Sequence, residues 1–263
     1  MAWVWRVLGA FAALAALLAL SVAVATGPIR TSAGAASTQE PATAGGEAPA
    51  AAPSPSASVS LEDIPLGPIP YDRRLRAVFL GDSITRGMTE PASGEVGDRS
   101  WFYGVIDDTA GVLAYVGTIA ENGMTTDWMA SQAWNAVALS PDIVVVHGGT
   151  NDVSGEVEPA AVVANLEEIR RVVTSVGMRL AVCTVPPRNE PDAEARAIAV
   201  NTAIAAWAEA NGVILLDTAA PLRAPGGGWK KGMTEDGLHP TPEAVALMSE
   251  AANRVLRTIP LGV

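Results

Sequence analysis

The chain has 263 residues, of which 49% are apolar and 17% are charged, and its 28 acidic and 17 basic side chains give a net charge of −11. This length accommodates one domain with a substantial core and additional segments. Because the basic residues form no clustered stripe, we expect no nucleic-acid partner. The single cysteine, Cys183, excludes an intramolecular disulfide framework, and two histidines are too few for a His-rich zinc site.

The N-terminal segment is predicted to direct export. Residues 7–29 contain no charged side chain and lie between Arg6 and Arg30. As a helix they would extend about 34 Å at ~1.5 Å per residue, which is enough to cross a bilayer. Residues 1–30 are predicted to be either a signal peptide, cleaved after residues 23–25, or a retained transmembrane anchor. Both alternatives predict a protein that is secreted or anchored to the outer face of the cell membrane.

The next thirty residues have the composition of a linker. Residues 31–60 are almost entirely Ala, Ser, Thr, Pro and Gly, with only Glu40 and Glu47 charged. Such a segment buries too little apolar surface to offset its ordering entropy, so we expect it to be disordered. The folded domain is therefore predicted to occupy residues 61–263.

Short apolar runs alternate with longer amphipathic ones across this domain. The runs predicted as strands are residues 77–80, 112–116, 143–147, 180–185 and 213–216. The segments predicted as helices are residues 101–109, 126–139, 159–175, 192–210 and 242–257. Nearly continuous apolar strands that alternate with helices indicate an α/β fold, in which one parallel sheet is covered on both faces.

Polar residues follow the first three predicted strands. Gly81-Asp82-Ser83-Ile84-Thr85 follows the first, where a serine beside a glycine turn can expose its hydroxyl. Residues 121–124, which include Gly123, follow the second and carry the weakest signal. Residues 147–152 follow the third, where two glycines allow the backbone to approach a ligand and Asn151 can donate to an oxygen. Each segment alone also fits an ordinary turn or helix start.

A fourth segment, Asp236-Gly237-Leu238-His239-Pro240, precedes the last predicted helix. Asp236 and His239 are three residues apart on a predicted turn. The Asp236 carboxylate can therefore reach one ring nitrogen of His239, which leaves the other nitrogen free to act as a base. With the strand-end segments, the chain then holds a hydroxyl nucleophile, a base with an orienting carboxylate, and donors for an oxyanion. These groups together predict acyl transfer through a serine ester intermediate.

These motifs resemble those of the SGNH hydrolases, a branch of the GDSL esterases and lipases. The resemblance extends over about residues 76–257. Residues 81–85 are similar to the family's first motif, residues 149–152 to its Gly-x-Asn-Asp motif, and residues 236–240 to its last motif. The resemblance implies a three-layer α/β/α flavodoxin-like domain with a five-stranded parallel sheet.

The resemblance also implies the role of each site residue. Ser83 would be the nucleophile of a catalytic triad completed by Asp236 and His239. The oxyanion hole would consist of the backbone N–H groups of Ser83 and Gly123 and the side chain of Asn151. No metal or organic cofactor is implied.

Other residues admit two interpretations each. His147 ends a predicted strand, where it could contact substrate or pack as a hydrogen-bonded histidine. Asp82 and Asp152 are predicted to brace their turns. Most aromatic side chains are predicted to be core, with a substrate surface as the alternative, and Trp229 could form a lid or contact substrate. The aromatic residues concerned are Trp101, Phe102, Tyr103, Trp128, Trp134 and Trp229.

The sequence thus predicts an exported serine esterase that acts on a small-molecule or polysaccharide ester, with a carbohydrate O-deacetylase as the leading case. A lipase or a general short-chain esterase is the alternative within this class, although no strongly amphipathic insertion suggests a lipase lid. An acyltransferase would use the same residues. A non-catalytic surface binding module is the alternative from another class.

Overall fold

A computed structural model describes residues 69–88, 95–108 and 110–261. The predicted export segment and linker lie outside the described residues. Within the described ranges, no helix is both long and apolar enough to cross a membrane.

Five parallel strands form a single sheet in the order β2-β1-β3-β4-β5. The strands are β1 (Leu75–Gly81), β2 (Leu113–Ala120), β3 (Ile143–His147), β4 (Arg179–Cys183) and β5 (Ile214–Leu216). The helices are α1 (Ser83–Arg86), α2 (Tyr103–Ile106), α3 (Thr126–Ser131), α4 (Ala133–Ala138), α5 (Thr150–Ser154), α6 (Pro159–Ser175), α7 (Pro191–Asn211) and α8 (Pro242–Leu256). This order and the all-parallel pairing confirm the predicted flavodoxin-like fold.

Apolar side chains alternate between the two faces of the sheet. Val78 and Leu80 of β1 belong to a buried cluster with residues of α3, α4, α6 and α7. Ala77 and Phe79 belong to a second cluster with residues of α2 and α8. Since both faces are covered, the strands lack the polar alternation of a half-exposed sheet. The result is the predicted three-layer α/β/α arrangement.

The helices differ from the prediction in three respects. Residues 126–139 form two helices because the Gln132 N–H bonds to the carbonyls of both Trp128 and Met129 (3.2 and 3.1 Å), which tightens and ends α3. Of the predicted helix 101–109, the described residues 101–108 contain only the short helix α2, and Trp101 lies before it, fully buried. The four- and five-residue helices α1 and α5 were not predicted from the sequence.

The strand order places three loops side by side. From β1 the chain continues to β2 on one side, whereas β3 pairs with β1 on the other. The loops that follow these three strands therefore meet at the carboxyl edge of the sheet, where the order reverses and ligands bind in open α/β folds. Ser83, Gly123 and Asn151 lie on these loops or in the first turns of the helices that follow.

Candidate active site

Ser83 is the first residue of α1, directly after the turn that ends β1. The Asp82 carboxylate caps this helix by accepting the Ile84 N–H at 3.0 Å. A Cβ on Gly81 would lie 2.2 Å from Thr85 Oγ1 and 2.7 Å from the His147 carbonyl oxygen. Only glycine fits this close approach, so the Gly-Asp-Ser turn fixes the position of the Ser83 hydroxyl.

The turn from Asp236 to His239 brings a base and its carboxylate to the same edge. His239 Nε2 lies 3.0 Å from Ser83 Oγ, and His239 Nδ1 lies 2.7 Å from Asp236 Oδ2. The other carboxylate oxygen of Asp236 accepts the backbone N–H groups of Leu238 and His239 at 2.9 and 2.8 Å. Three side chains from two distant segments therefore form one continuous hydrogen-bonded chain.

The hydrogen bonds of the turn keep Asp236 ionised. Partial burial alone would raise its pKa, but the bonds from the His239 ring and from the backbone N–H groups of His239 and Leu238 outweigh this effect. The pKa of Asp236 consequently lies well below its ordinary value. An ionised carboxylate at Nδ1 holds that nitrogen as the N–H donor and leaves Nε2 as the acceptor facing Ser83.

The residues predicted to form the oxyanion hole border the same space. The Asn151 amide donates one N–H to the Met124 carbonyl at 2.8 Å, which orients the amide and leaves its second N–H available. Gly123 has φ = +78°, a conformation that favours glycine. Ser83, Gly123, Asn151 and His239 border a cavity of about 260 Å³, and its other lining residues are Met88, Asn122 and Leu238.

A larger cavity of about 620 Å³ lies elsewhere, at the amino-terminal edge of the sheet. It is bordered by residues such as Arg73, Asp142 and Arg179 and by none of the residues of the Ser83–His239–Asp236 chain. The smaller cavity is therefore the candidate active site, since Ser83, His239 and Asn151 border it together.

Replacing Asn151 by alanine is expected to lower kcat for ester hydrolysis by about 10²–10³. The substitution removes one predicted oxyanion donor but leaves the Ser83–His239 hydrogen bond intact, so KM should change little. Steady-state kinetics on a nitrophenyl ester measure both constants. Asn135→Ala, which removes an exposed amide bonded to Gln132 Oε1 at 2.8 Å, is the control and should keep near-normal kcat. Equal kcat in wild type and Asn151→Ala would exclude Asn151 from the oxyanion hole.

Two buried carboxylates brace the loops around the cavity. Asp152 accepts the N–H and the hydroxyl of Thr126 at 3.0 and 2.6 Å, which ties α5 to α3. Asp82 is fully buried, and its Oδ2 has no hydrogen-bond partner among the described residues. Burial, with a smaller contribution from the charge of Asp152, raises the pKa of Asp82 to about 7.

Asp82→Asn is expected to change how stability depends on pH. The carboxyl of Asp82 releases its proton near its ordinary pKa of 3.8 in the unfolded chain but only near 7 in the fold. The folded state therefore binds more protons between these values, and raising pH through this window destabilises wild type by about 3–4 kcal/mol at most. Asparagine keeps the cap oxygen but does not titrate.

Urea unfolding at pH 4 and at pH 8 tests this expectation. The free energy of unfolding of Asp82→Asn, relative to wild type, should rise between the two values. Asp127→Asn provides an acidic-to-amide control on α3. Hydrogen bonds from the Thr125 hydroxyl and the Trp128 N–H lower the pKa of Asp127, so the free energy of unfolding of this variant, relative to wild type, should not rise with pH. A constant difference between Asp82→Asn and wild type at both pH values would contradict the buried, titrating carboxyl.

His147 packs inside the fold rather than lining the cavity. Its side chain is 1% exposed, and its ring centroid lies 5.6 Å from that of Trp101. Neither ring nitrogen has a hydrogen-bond partner among the residues described, so the expected hydrogen bond is not found. Burial lowers the pKa of His147 to about 4, and the ring is neutral at neutral pH.

The structure revises two further expectations. Gly148 and Gly149 serve packing, because a Cβ at these positions would lie 2.4 Å from Met129 Sδ and 2.7 Å from Val185 Cγ2. Trp229 is 7% exposed and donates its indole N–H to the Gly237 carbonyl at 3.0 Å, so it is neither a lid nor a substrate surface. Among the other aromatic side chains, Trp101 and Phe102 are core, whereas Trp134 is 61% exposed.

Sequence reasoning missed the groups that orient the site. The Met124 carbonyl bonds to Asn151, and the Thr126 N–H and hydroxyl bond to Asp152. Met124 and Thr126 follow β2, whereas their partners follow β3. Only the adjacency of β1, β2 and β3 brings them together, and no local pattern signals it.

Neither a metal site nor a reactive thiol competes with this arrangement in the described part of the chain. No group of three or more His, Cys, Asp or Glu side chains there could hold a metal ion. Cys183 is buried, and burial raises the pKa of its thiol well above the ordinary value, which leaves the thiol unreactive.

Several solved structures share this fold. A GDSL-like lipase from Bacteroides thetaiotaomicron is 24% identical, with a TM-score of 0.57, and the match covers 71% of this chain and 90% of that one. A putative lipolytic protein of the G-D-S-L family from Desulfitobacterium hafniense is 20% identical, with a TM-score of 0.59, over 70% of this chain and 100% of that one. An acetylxylan esterase from Geobacillus stearothermophilus, in a catalytic-mutant form, is 16% identical, with a TM-score of 0.57, over 69% and 94%.

No curated protein matches the chain. The model of the GDSL-like Lipase/Acylhydrolase family, however, matches residues 79–247. This range begins in β1, before Ser83, and ends in α8, after His239, so it includes every residue of the site described above. The chain therefore belongs to the GDSL-like lipase/acylhydrolase family, a branch of the hydrolases.

Proposed function

We propose that the protein is a serine esterase that hydrolyses carboxylic esters through an acyl intermediate on Ser83. One observation carries the proposal: the hydrogen-bonded chain from Asp236 Oδ2 through the His239 ring to Ser83 Oγ, with separations of 2.7 and 3.0 Å. These separations lie within the range in which a base accepts the proton of a serine hydroxyl.

The reaction begins when Ser83 Oγ attacks the ester carbonyl carbon and His239 Nε2 accepts the hydroxyl proton. The Asp236 carboxylate stabilises the imidazolium that forms. The carbonyl oxygen becomes an oxyanion, which accepts hydrogen bonds from the N–H groups of Ser83 and Gly123 and from the Asn151 amide. His239 then gives its proton to the departing alcohol oxygen, and the C–O bond of the ester breaks.

Water completes the cycle. His239 Nε2 accepts a proton from a water molecule as its oxygen attacks the acyl carbon on Ser83. The second tetrahedral intermediate occupies the same oxyanion hole. Its collapse returns the proton to Ser83 Oγ and releases the carboxylic acid, so the free enzyme is restored and only water has been consumed.

The size of the cavity favours a short acyl group. Its volume is about 260 Å³. This is below the ~300–1,000 Å³ of sites that enclose drug-sized ligands. The cavity therefore accommodates an acetyl group and part of an alcohol, whereas a long acyl chain would extend into solvent. An acetylated carbohydrate is the substrate class that we propose, and the acetylxylan of the Geobacillus esterase supplies the first polymer to test.

A panel of nitrophenyl esters from acetate to decanoate, with acetylated xylan and a triglyceride, tests both the activity and the substrate class. We expect kcat/KM to be highest for acetate and to fall roughly tenfold or more by octanoate, with acetate released from the xylan. Ser83→Ala should be inactive on every substrate. A preference for decanoate or the triglyceride would instead identify a lipase, and acetyl transfer to an added alcohol in preference to water would identify an acyltransferase.

The proposed location is outside the cytoplasm, either in solution or anchored to the membrane through residues 7–29. Support comes from the uncharged segment between Arg6 and Arg30 and from the linker composition of residues 31–60. Sequencing the N-terminus of the protein isolated from its host separates the two forms. A start near residue 26 identifies a cleaved signal, and a start at Met1 in the membrane fraction identifies an anchor. Recovery from the cytoplasm with an intact N-terminus would contradict export.

A further inference from the structure

We infer that Trp229 is a positioning residue that holds the Asp236–His239 turn in its working geometry through its indole N–H. The inference rests on the proposed esterase function. Trp229 touches neither the cavity nor the reacting atoms, since its side chain is buried in the apolar cluster on the α2–α8 face of the sheet. Its one polar group donates to the carbonyl oxygen of Gly237, at 3.0 Å.

Gly237 lies at the centre of the turn that pairs the acid with the base. It follows Asp236 directly, has φ = +80° and is separated from His239 only by Leu238. The hydrogen bonds that the Asp236 carboxylate accepts from the N–H groups of Leu238 and His239 lie within the turn, so they define its shape but not its place relative to Ser83. The bond from Trp229 joins the turn to a segment outside it.

The segment that carries Trp229 is itself fixed. Trp229 forms a bridge with Arg223, and the Lys230 N–H donates to the Leu222 carbonyl at 2.8 Å. Glu194, near the start of α7, accepts from Arg223 Nε at 2.7 Å and from the Gly228 N–H at 3.1 Å. The hairpin of residues 222–230 is therefore attached to the long helix α7. The bond from Trp229 to Gly237 in turn fixes the position of the Asp236–His239 turn.

Tryptophan is suited to this role because its indole N–H is a donor only and the rest of the ring is apolar. A phenyl ring at position 229 would keep most of the packing but leave the buried Gly237 carbonyl without its donor. The turn would then keep the bonds that Thr234 makes to the His239 carbonyl and the Gly237 N–H but lose its link to the 222–230 hairpin. A resulting displacement of His239 by about 1 Å would lower the rate by up to 10². The expected effect falls on kcat, because the ester itself does not contact Trp229.

Trp207→Phe is the matched control for Trp229→Phe. Trp207 is also buried, and it donates its indole N–H to Glu167 Oε2 at 3.1 Å, but it belongs to the apolar cluster on the opposite face of the sheet. Both variants lose one indole hydrogen bond and the same ring volume. A purely structural role for Trp229 predicts similar effects of both substitutions, whereas a positioning role predicts that only Trp229→Phe slows catalysis.

Kinetics with nitrophenyl acetate give the first measurement. We expect Trp229→Phe to lower kcat by about 10–100-fold with KM within about twofold of wild type, and Trp207→Phe to leave both constants close to wild type. Replacing Trp229 by 3-benzothienylalanine, which has the same shape but sulfur in place of N–H, keeps the test decisive if the phenyl variant fails to fold. Unchanged kcat in the isostere, or an equal loss in Trp207→Phe, would overturn the inference.

Proton NMR gives a second measurement that does not depend on activity. The chain has two histidines, so the low-field Nδ1–H resonance of His239 is assigned by its absence in His239→Ala. This resonance should shift or broaden in the Trp229 variants and remain unchanged in Trp207→Phe. If the proposed esterase function were wrong, the wild type itself would show no esterase activity, which is a different result from a loss in the Trp229 variants alone. An unchanged resonance in both Trp229 variants would contradict the positioning role even then.

Discussion

Replacing Ser83 by alanine is expected to lower kcat for ester hydrolysis by about 10⁶. The substitution removes the oxygen that forms the acyl intermediate, whereas the donors of the oxyanion hole remain and leave a small residual rate. Stability should be preserved, because the Ser83 hydroxyl bonds only to His239 within the described part of the chain. Steady-state kinetics with a nitrophenyl ester and thermal unfolding measure the two effects.

Ser131→Ala is the control for this substitution. Ser131 lies on α3, and its hydroxyl donates to the Trp128 carbonyl at the surface. We expect its kcat to stay within about twofold of wild type, as is usual for a surface substitution that touches no reacting group. If Ser83→Ala kept a tenth or more of the wild-type kcat, Ser83 would not be the nucleophile.

Replacing His239 by alanine is expected to lower kcat by a similar factor, about 10⁵–10⁶. Without the imidazole no group accepts the Ser83 proton, and the departing alcohol is not protonated. His147→Ala is the matched variant, because it removes the only other histidine of the chain. Kinetics on both variants at the same pH compare the two imidazoles directly.

The two histidine variants should show opposite effects: His239→Ala should lose activity but little stability, whereas His147→Ala should lose stability but little activity. His147 is buried against Trp101, so its truncation leaves a cavity and should lower the free energy of unfolding by about 2–4 kcal/mol, with near-normal kcat for the folded molecules. His239 is only partly buried, and its loss should cost little stability. An inactive His147→Ala beside a near-normal His239→Ala would reverse the assignment of the base.

The sheet and the long helices could be predicted from the sequence because their apolar patterns are strong and local. The bounds of β3 and α6 match the predicted residues 143–147 and 159–175, and both elements are bounded by turn or helix-start residues. The helices α1 and α5 have four and five residues, too few to show a helical period. The break at Gln132 has no glycine or proline to signal it.

The site residues could be predicted because each lies in a short motif at a strand end or turn. Such motifs predict Ser83, Asn151, Asp236 and His239 as candidates, and the structure places these residues around one cavity or in its hydrogen-bonded chain. The groups that orient them could not be predicted, since the Met124 carbonyl is 27 residues from Asn151 and no pattern links the two. The unpaired ring nitrogens of His147 likewise follow from packing alone.

The central claim is that His239 activates the hydroxyl of Ser83 as a nucleophile. A fluorophosphonate probe followed by peptide mass mapping tests it most directly, because the probe forms a covalent bond only with an activated hydroxyl. We predict one adduct, on Ser83, that forms rapidly in wild type, hundreds of times more slowly in His239→Ala, and not at all in Ser83→Ala. An active wild type in which Ser83 stays unmodified, or in which another residue carries the adduct, would contradict the account.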